Sequence, residues 1–179
     1  VARIAATGFN VQLGGGLRTL DDVEEAFHAG VRRVVIGTRA CHDPQFVTGL
    51  VHRFGVERLA VGIDARDGRV AVEGWKNVSV VRAEELARRV CDLGIHTIIH
   101  TDIATDGTLR GPNFKAQQAM LLATPARLIA SGGVATRDDI AKFTDIARLQ
   151  PRLEGVIVGK ALYEKKVELA DLLALARAP

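Results

Sequence analysis

The sequence predicts an α/β fold whose parallel strands form part of an eight-stranded barrel, and three observations carry that prediction. Short β-branched runs alternate with helical segments along the chain, polar and glycine residues cluster directly after the strands, and the sequence repeats itself internally. Regular alternation calls for parallel strands joined by crossover helices, and strands covered on both faces read as near-continuous apolar runs.

Taken in order, Val1–Ala6 has the composition of a helix's last turns, and Gly8 ends it, so the chain is expected to begin part-way through a βα unit. Strands are expected at Phe9–Leu13, Val34–Gly37, Leu59–Asp64, Thr97–Thr101, Leu128–Ser131 and Val156–Val158. Between them, Asp21–Ala29, Pro44–Phe54, Arg82–Leu93, Asn113–Leu122, Thr136–Ala147 and Glu168–Ala176 carry apolar residues at helical spacing. The repeat relates VQLGGGLRTLDDV (Val11–Val23) to LIASGGVATRDDI (Leu128–Ile140), and VVIGTRA (Val34–Ala40) to VIVGKAL (Val156–Leu162). Thr19 and Thr136 are offset by 117 residues, and Asp64 lies 72 residues ahead of Thr136. The repeat partner of Asp64 is therefore expected roughly 53 residues before Val1.

An open doubly wound sheet is the competing closure. Asp64, Thr101 with Asp102, the Ser131-Gly132-Gly133 turn, the Gly14-Gly15-Gly16 turn, Gly37-Thr38 and Gly159-Lys160 each end a strand, which puts all six loops on one face. A barrel brings all such loops to one site, whereas an open sheet joins only those at its switch point. The barrel is favoured. Neither a GxGxxG fingerprint nor a GxxxxGK[ST] loop is present.

Composition narrows the function. The 179 residues are 47% hydrophobic and 25% charged, which is ordinary globular usage rather than that of a disordered chain. A formal charge of +3, spread over helical faces, gives no support for nucleic-acid binding and suits small anionic ligands. Cys41 and Cys91 lack metal spacing and read as reduced thiols, an expectation of cytoplasmic location. No apolar run is long enough to span a membrane, so no membrane partner is expected. The glycine turns have a physical reading: positive φ and a missing Cβ let backbone N–H groups close around a phosphate. Gly15, Gly16, Gly37 and Thr38 form one such group, and Gly132, Gly133, Gly159 and Lys160 the repeat-related other. Two sites facing each other across a barrel mouth predict a ligand phosphorylated at both ends. Tight strand termination is the plainer alternative for any single turn.

The segments GGGLR, VVIGTRA, VGIDARDGRVAVEGW, TDIATDGTLRGPN, IASGGV and GVIVGKALYE resemble the ProFAR isomerase family of histidine biosynthesis, the phosphoribosylformimino-5-aminoimidazole carboxamide ribotide isomerases. The resemblance covers essentially the whole chain. It implies a (βα)8 TIM barrel of two fused half-barrels, of which this sequence supplies about six βα units, strands 3 to 8, as one partial domain spanning 1–179. It implies an Amadori rearrangement of a bisphosphorylated substrate with no cofactor or metal. Asp64 matches the family's general acid, and the base is an aspartate closing the first strand, expected ahead of Val1. Thr101 matches a threonine near the reacting sugar, and Asp106 an aspartate that contacts substrate. Arg18 follows the first glycine turn, where its guanidinium suits a phosphate. Trp75 ends a stretch too long for a plain strand-to-helix loop and suits either stacking on the imidazole ring when the loop closes or packing as a loop anchor. Glu73 and Asp102 are the nearest carboxylates that could replace the base. His100 is expected to face the helices. A dual-specificity isomerase that also takes phosphoribosylanthranilate, and a noncatalytic phosphate-binding fragment, stand as alternatives. Open barrel edges predict a homodimer or a complementing N-terminal fragment.

Overall fold

The computed structural model describes residues 1–37 and 39–176. A short helix α1 (Ala2–Ala5) leads to β1 (Gln12–Gly14), α2 (Leu20–His28), β2 (Arg33–Ile36), the short α3 (Arg39–His42) and α4 (Pro44–Phe54). The chain continues through β3 (Leu59–Arg66), β4 (Arg69–Val72), β5 (Asn77–Arg82), α5 (Ala83–Asp92) and β6 (Thr97–Asp102). It ends with α6 (Phe114–Ala123), β7 (Arg127–Ser131), α7 (Arg137–Leu149), β8 (Leu153–Val156), the short α8 (Lys160–Tyr163) and α9 (Leu169–Ala176). No helix is long and apolar enough to cross a membrane among the described residues.

Four of the longer helices begin where a side-chain oxygen satisfies a free N–H group. Asp43 caps α4, with Pro44 at its first position, and Asn113 caps α6. Thr19 and Thr136 cap α2 and α7 through reciprocal capping boxes with Asp22 and Asp139, at nearly the same backbone angles, φ/ψ −128/166 and −132/165. The sequence repeat is thus a repeat of structure. In each copy the carboxylate also accepts the N–H before the cap: Arg18 N–H reaches Asp22 at 2.8 Å and Ala135 N–H reaches Asp139 at 3.0 Å. The backbone bond from Arg18, with those from Thr19, holds the Asp22 carboxyl below its usual range.

The main sheet runs β1-β2-β3-β6-β7-β8, every neighbouring pair parallel. Spatial order follows chain order with no reversal, so there is no topological switch point, and the doubly wound alternative falls. The sheet is curled. Arg33 on β2 and Glu154 on β8 are four strand spacings apart, about 19 Å across a flat sheet, yet their side chains meet at 2.9 Å. Curling divides the strand residues into two sets. Val34, Ile36, Leu59, Val61, Ile63, Ile98, Leu128 and Ala130 face the helices in the main core. Ala60, Ile99 and Ile129, with Val35 against them, form a separate cluster on the concave face. This curled parallel sheet, with the helix layer outside and a packed concave face, fits a TIM-barrel-like α/β fold.

Several boundaries differ from expectation. The first strand begins at Gln12 rather than Phe9, because pairing starts at Gln12 opposite Arg33, and Phe9 is left 78% exposed. The last strand is Leu153–Val156 rather than Val156–Val158: Leu153 pairs with Leu128 across a register irregularity that Gly155 accommodates opposite Ile129. β3 runs two residues past Asp64 because it turns back on itself. Asp67 and Gly68, at φ 51 and 72, make a tight turn into β4, which pairs antiparallel with both β3 and β5. That hairpin and the short helices α3 and α8 were not anticipated. Gly8, at φ 84, ends α1 as expected.

Candidate active site at the C-terminal strand ends

Register brings three polar side chains together. Asp64 pairs with Thr101, and Thr101 with Ser131, so β3, β6 and β7 present them side by side. They share strand parity with Ala60, Ile99 and Ile129, which places them on the concave face one layer above the apolar cluster. Ser131 was not among the sequence candidates; the signal was available, since it stands two residues beyond Ile129 just as Thr101 stands two beyond Ile99.

The β4–β5 hairpin closes over this row. Glu73, Gly74 and Trp75 all have positive φ (55, 66 and 72), and this turn carries the indole back so that Trp75 Nε1 donates to Asp64 Oδ2 at 2.7 Å. The two non-glycine residues in the left-handed region, Glu73 and Trp75, cost about 1–2 kcal/mol each, a strain that the Trp75–Asp64 bond helps to offset. Trp75 keeps 42% of its surface exposed, leaving a ring face for a ligand.

The second glycine group forms a real pocket. Asp106, Gly107, Ser131, Gly132, Gly133, Gly159 and Lys160 surround a cavity of about 150 Å³. Lys160 opens α8, its ammonium donating to the Gly107 carbonyl at 2.9 Å. A short extra helix after the last strand is a recurrent phosphate-binding device in barrels of this kind. Gly132 and Gly133 are required by packing as well as by φ, at 99° and 87°. A Cβ on Gly132 would stand 2.6 Å from the Asp102 carbonyl oxygen, and one on Gly133 would collide with the Gly111 carbonyl. The first group is more open: Gly15 and Gly16 have φ 88 and 76 with nothing near a notional Cβ, Gly37 and Arg18 are exposed, and Thr38 lies outside the described residues.

The two carboxylates considered as substitute bases are committed elsewhere. Asp102 accepts from Ala104 N–H (2.9 Å) and the Asn113 amide (2.6 Å), bracing the β6–α6 loop, while Glu73 accepts from the Asn77 amide at 2.6 Å. His100 faces the helices, 3% exposed, with Nδ1 3.0 Å from Gln117 Oε1. Gln117 returns its amide N–H to the carbonyls of His100 and Ser131, tying α6 to both strands behind the site. Desolvation pushes the His100 pKa below its ordinary 6.5, outweighing the Gln117 bond. The folded state therefore excludes the proton that the unfolded chain accepts, and stability from this residue is fully present above the unfolded value of 6.5 and lost as pH falls from there through the lower folded pKa. Urea denaturation should show a midpoint that falls as pH drops below about 7, with a shallower fall in His100→Gln.

An apolar groove of about 420 Å³ lies away from this site, between α7, β8 and α9, with Phe143, Leu153, Leu162 and Leu172 in its walls. Its lining offers little to a phosphorylated ligand, and the polar strand ends are the better site.

A family model described as histidine biosynthesis protein matches residues 1–168. The chain belongs to the histidine biosynthesis protein family. Within it, a 1-(5-phosphoribosyl)-5-((5-phosphoribosylamino)methylideneamino)imidazole-4-carboxamide isomerase of Opitutus terrae is 54% identical over 178 residues, 99% of this chain and 73% of the relative. Proteins of the same name from Lachnoclostridium phytofermentans and Symbiobacterium thermophilum are 44% and 48% identical, covering 92% and 94% of this chain and 67% and 65% of the relatives. In family terms, the strand-end row, the hairpin with Trp75 and the Lys160 pocket fall within the matched region.

Proposed function

We propose that the chain performs the Amadori aldose–ketose isomerisation named for its relatives, on the bisphosphorylated aminoimidazole carboxamide ribonucleotide ProFAR, as a cytoplasmic enzyme of histidine biosynthesis. The observation that carries this is the convergence, at one end of a curled parallel sheet, of a half-buried carboxylate on β3 with a lysine- and glycine-lined pocket after β7 and β8. Ring opening needs an acid at the ring oxygen, and ketose formation needs removal of the C2 proton. Asp64 supplies the acid, Thr101 and Ser131 contact the sugar, and Asp106 contacts substrate at the pocket's edge. One phosphate takes the Gly132, Gly133, Gly159 and Lys160 pocket. The other takes the turn of Gly15, Gly16, Gly37 and Thr38 with Arg18. In this reading β1 is the third barrel strand, and the base is the family's first-strand aspartate, because Glu73 and Asp102 are already bound within their own loops. Two phosphate groups favour ProFAR over phosphoribosylanthranilate, which carries one.

Turnover is measured by absorbance on the 179-residue chain, alone and with a polypeptide supplying the first two βα units of a relative. Isomerisation in either sample, lost with Asp64→Asn, is expected; neither turnover nor ProFAR binding in both samples overturns the reading. Trp75 is proposed to stack on the imidazole ring from its place in the closed hairpin. Trp75→Ala should raise the Michaelis constant about tenfold, the worth of a stacking contact of ~1.4 kcal/mol, while Trp75→Phe keeps most of the affinity.

The outer edges of β1 and β8 have no strand partner among the described residues. Unpaired parallel edges template pairing with another chain, and we infer that a second copy or a complementing segment covers them. Light scattering should give a mass above 19.2 kDa for the chain alone, falling to a one-to-one complex when the complementing segment is added.

A further inference from the structure

At the N-terminal ends of the strands, opposite the site, Arg33 and Glu154 meet across the concave face. The pair joins β2 to β8 over the three strands between them. The same guanidinium donates to Gln12 Oε1 on β1 (2.9 Å) and Thr97 Oγ1 on β6 (3.3 Å). Arg127 on β7 approaches the second Glu154 oxygen at 3.5 Å and donates to Thr97 at 3.2 Å and Glu57 at 2.7 Å. The Arg33 side chain is 14% exposed and Thr97 is fully buried, so this is a partly desolvated network of fixed geometry rather than a solvated surface pair.

The strands clasped here carry the two phosphate turns at their far ends. Gly37 stands four residues beyond Arg33, directly after β2, and Gly159 five residues beyond Glu154, three past the end of β8. At a rise of ~3.3 Å per residue the turns lie about 13 and 17 Å from the clasp. Strand pairing reaches Ile36 on β2, and beyond β8 the Ile157 N–H still donates to the Ala130 carbonyl at 2.8 Å, so the spacing of the lower ends is passed up toward the turns. We propose that Arg33 and Glu154 are positioning residues that set the separation of the two phosphate turns, and so select ligands bearing a phosphate at each end. This rests on the bisphosphate reading given above. A ligand held at both ends gains from an effective concentration that falls when the span is wrong, whereas a single phosphate does not sense the span.

Two readouts test it. Dissociation constants for ProFAR and for inorganic phosphate are measured on the chain and on Arg33→Gln, Glu154→Gln and Arg33→Lys, in the assembly that binds ProFAR. ProFAR affinity should fall about tenfold in the first two and recover in Arg33→Lys, with phosphate affinity within about twofold throughout. Equal losses for both ligands, or no loss for either, overturn the proposal. Separately, spin labels at Asp21→Cys and Lys166→Cys, in a Cys41→Ser and Cys91→Ser background, report the distance across the mouth. Arg33→Gln should broaden or shift that distribution, and an unchanged distribution overturns the proposal. If the unaltered chain binds neither ligand, the bisphosphate reading fails, and the label distances still decide what the clasp does. If Arg33→Gln fails to fold, Glu154→Gln serves alone.

Discussion

Asp64→Asn should lower the turnover number about 10³-fold, the usual worth of a positioned general acid, while leaving the Michaelis constant within about threefold. The substitution is nearly isosteric, and the amide oxygen can still accept the Trp75 N–H now donated to Asp64 at 2.7 Å, so the hairpin keeps its closed geometry. The Thr101 and Ser131 neighbours on β6 and β7 are held by register and are not disturbed. In the proposed mechanism, what disappears is the proton delivered to the ring oxygen. A loss confined to the turnover number marks an interaction made only on the way to the transition state. The measurement is steady-state isomerisation of ProFAR in the assembly that supports turnover. Activity within threefold of the unaltered protein would remove Asp64 from the acid role and transfer the search to Asp106 at the edge of the Lys160 pocket.

The local features of this chain that can be read without a structure are those fixed by short-range chemistry. Thr19 and Thr136 with their aspartates three residues on announce two capping boxes, and both form. Pro44 opens α4 where Asp43 caps it. Alternation and strand-end polarity led to a barrel rather than an open sheet, and the strand order agrees. Features that depend on partners distant in sequence were not legible. The shift of the last strand follows from Leu153 finding Leu128, and the hairpin from Arg69–Val72 finding both its flanks. The row of Asp64, Thr101 and Ser131 is a matter of register, which single strands do not disclose. The Arg33–Glu154 contact needed the curl itself, because residues 121 apart in the chain meet only once the sheet closes on its concave face.

The repeat makes a second large effect testable against its own internal control. Gly16 and Gly133 are equivalent positions, offset by the same 117 residues as their caps, with φ 76 and 87. Conformation alone therefore predicts equal penalties for alanine, about 1–2 kcal/mol at each, since both demand the left-handed region. The surroundings differ. Gly16 has nothing within 4 Å of a notional Cβ, whereas at Gly133 that atom would run into the Gly111 carbonyl and lie 2.9 Å from Thr105 Cβ. Neither neighbour can yield cheaply. Gly111 N–H donates to the Gly133 carbonyl at 3.1 Å, and the Thr105 hydroxyl and N–H are both bound to the Asp102 carbonyl, so the β6–α6 loop would have to lift as a unit. Gly133→Ala should therefore cost about 3 kcal/mol or more, adding overpacking to the backbone strain, while Gly16→Ala stays near the conformational cost. Urea denaturation of both variants measures the difference. Because the lifted loop carries Asp106 and the Gly107 carbonyl that receives Lys160, Gly133→Ala should also lose phosphate affinity in the second pocket even where it remains folded. Equal destabilisation by the two substitutions would mean that the second repeat is no more tightly covered than the first.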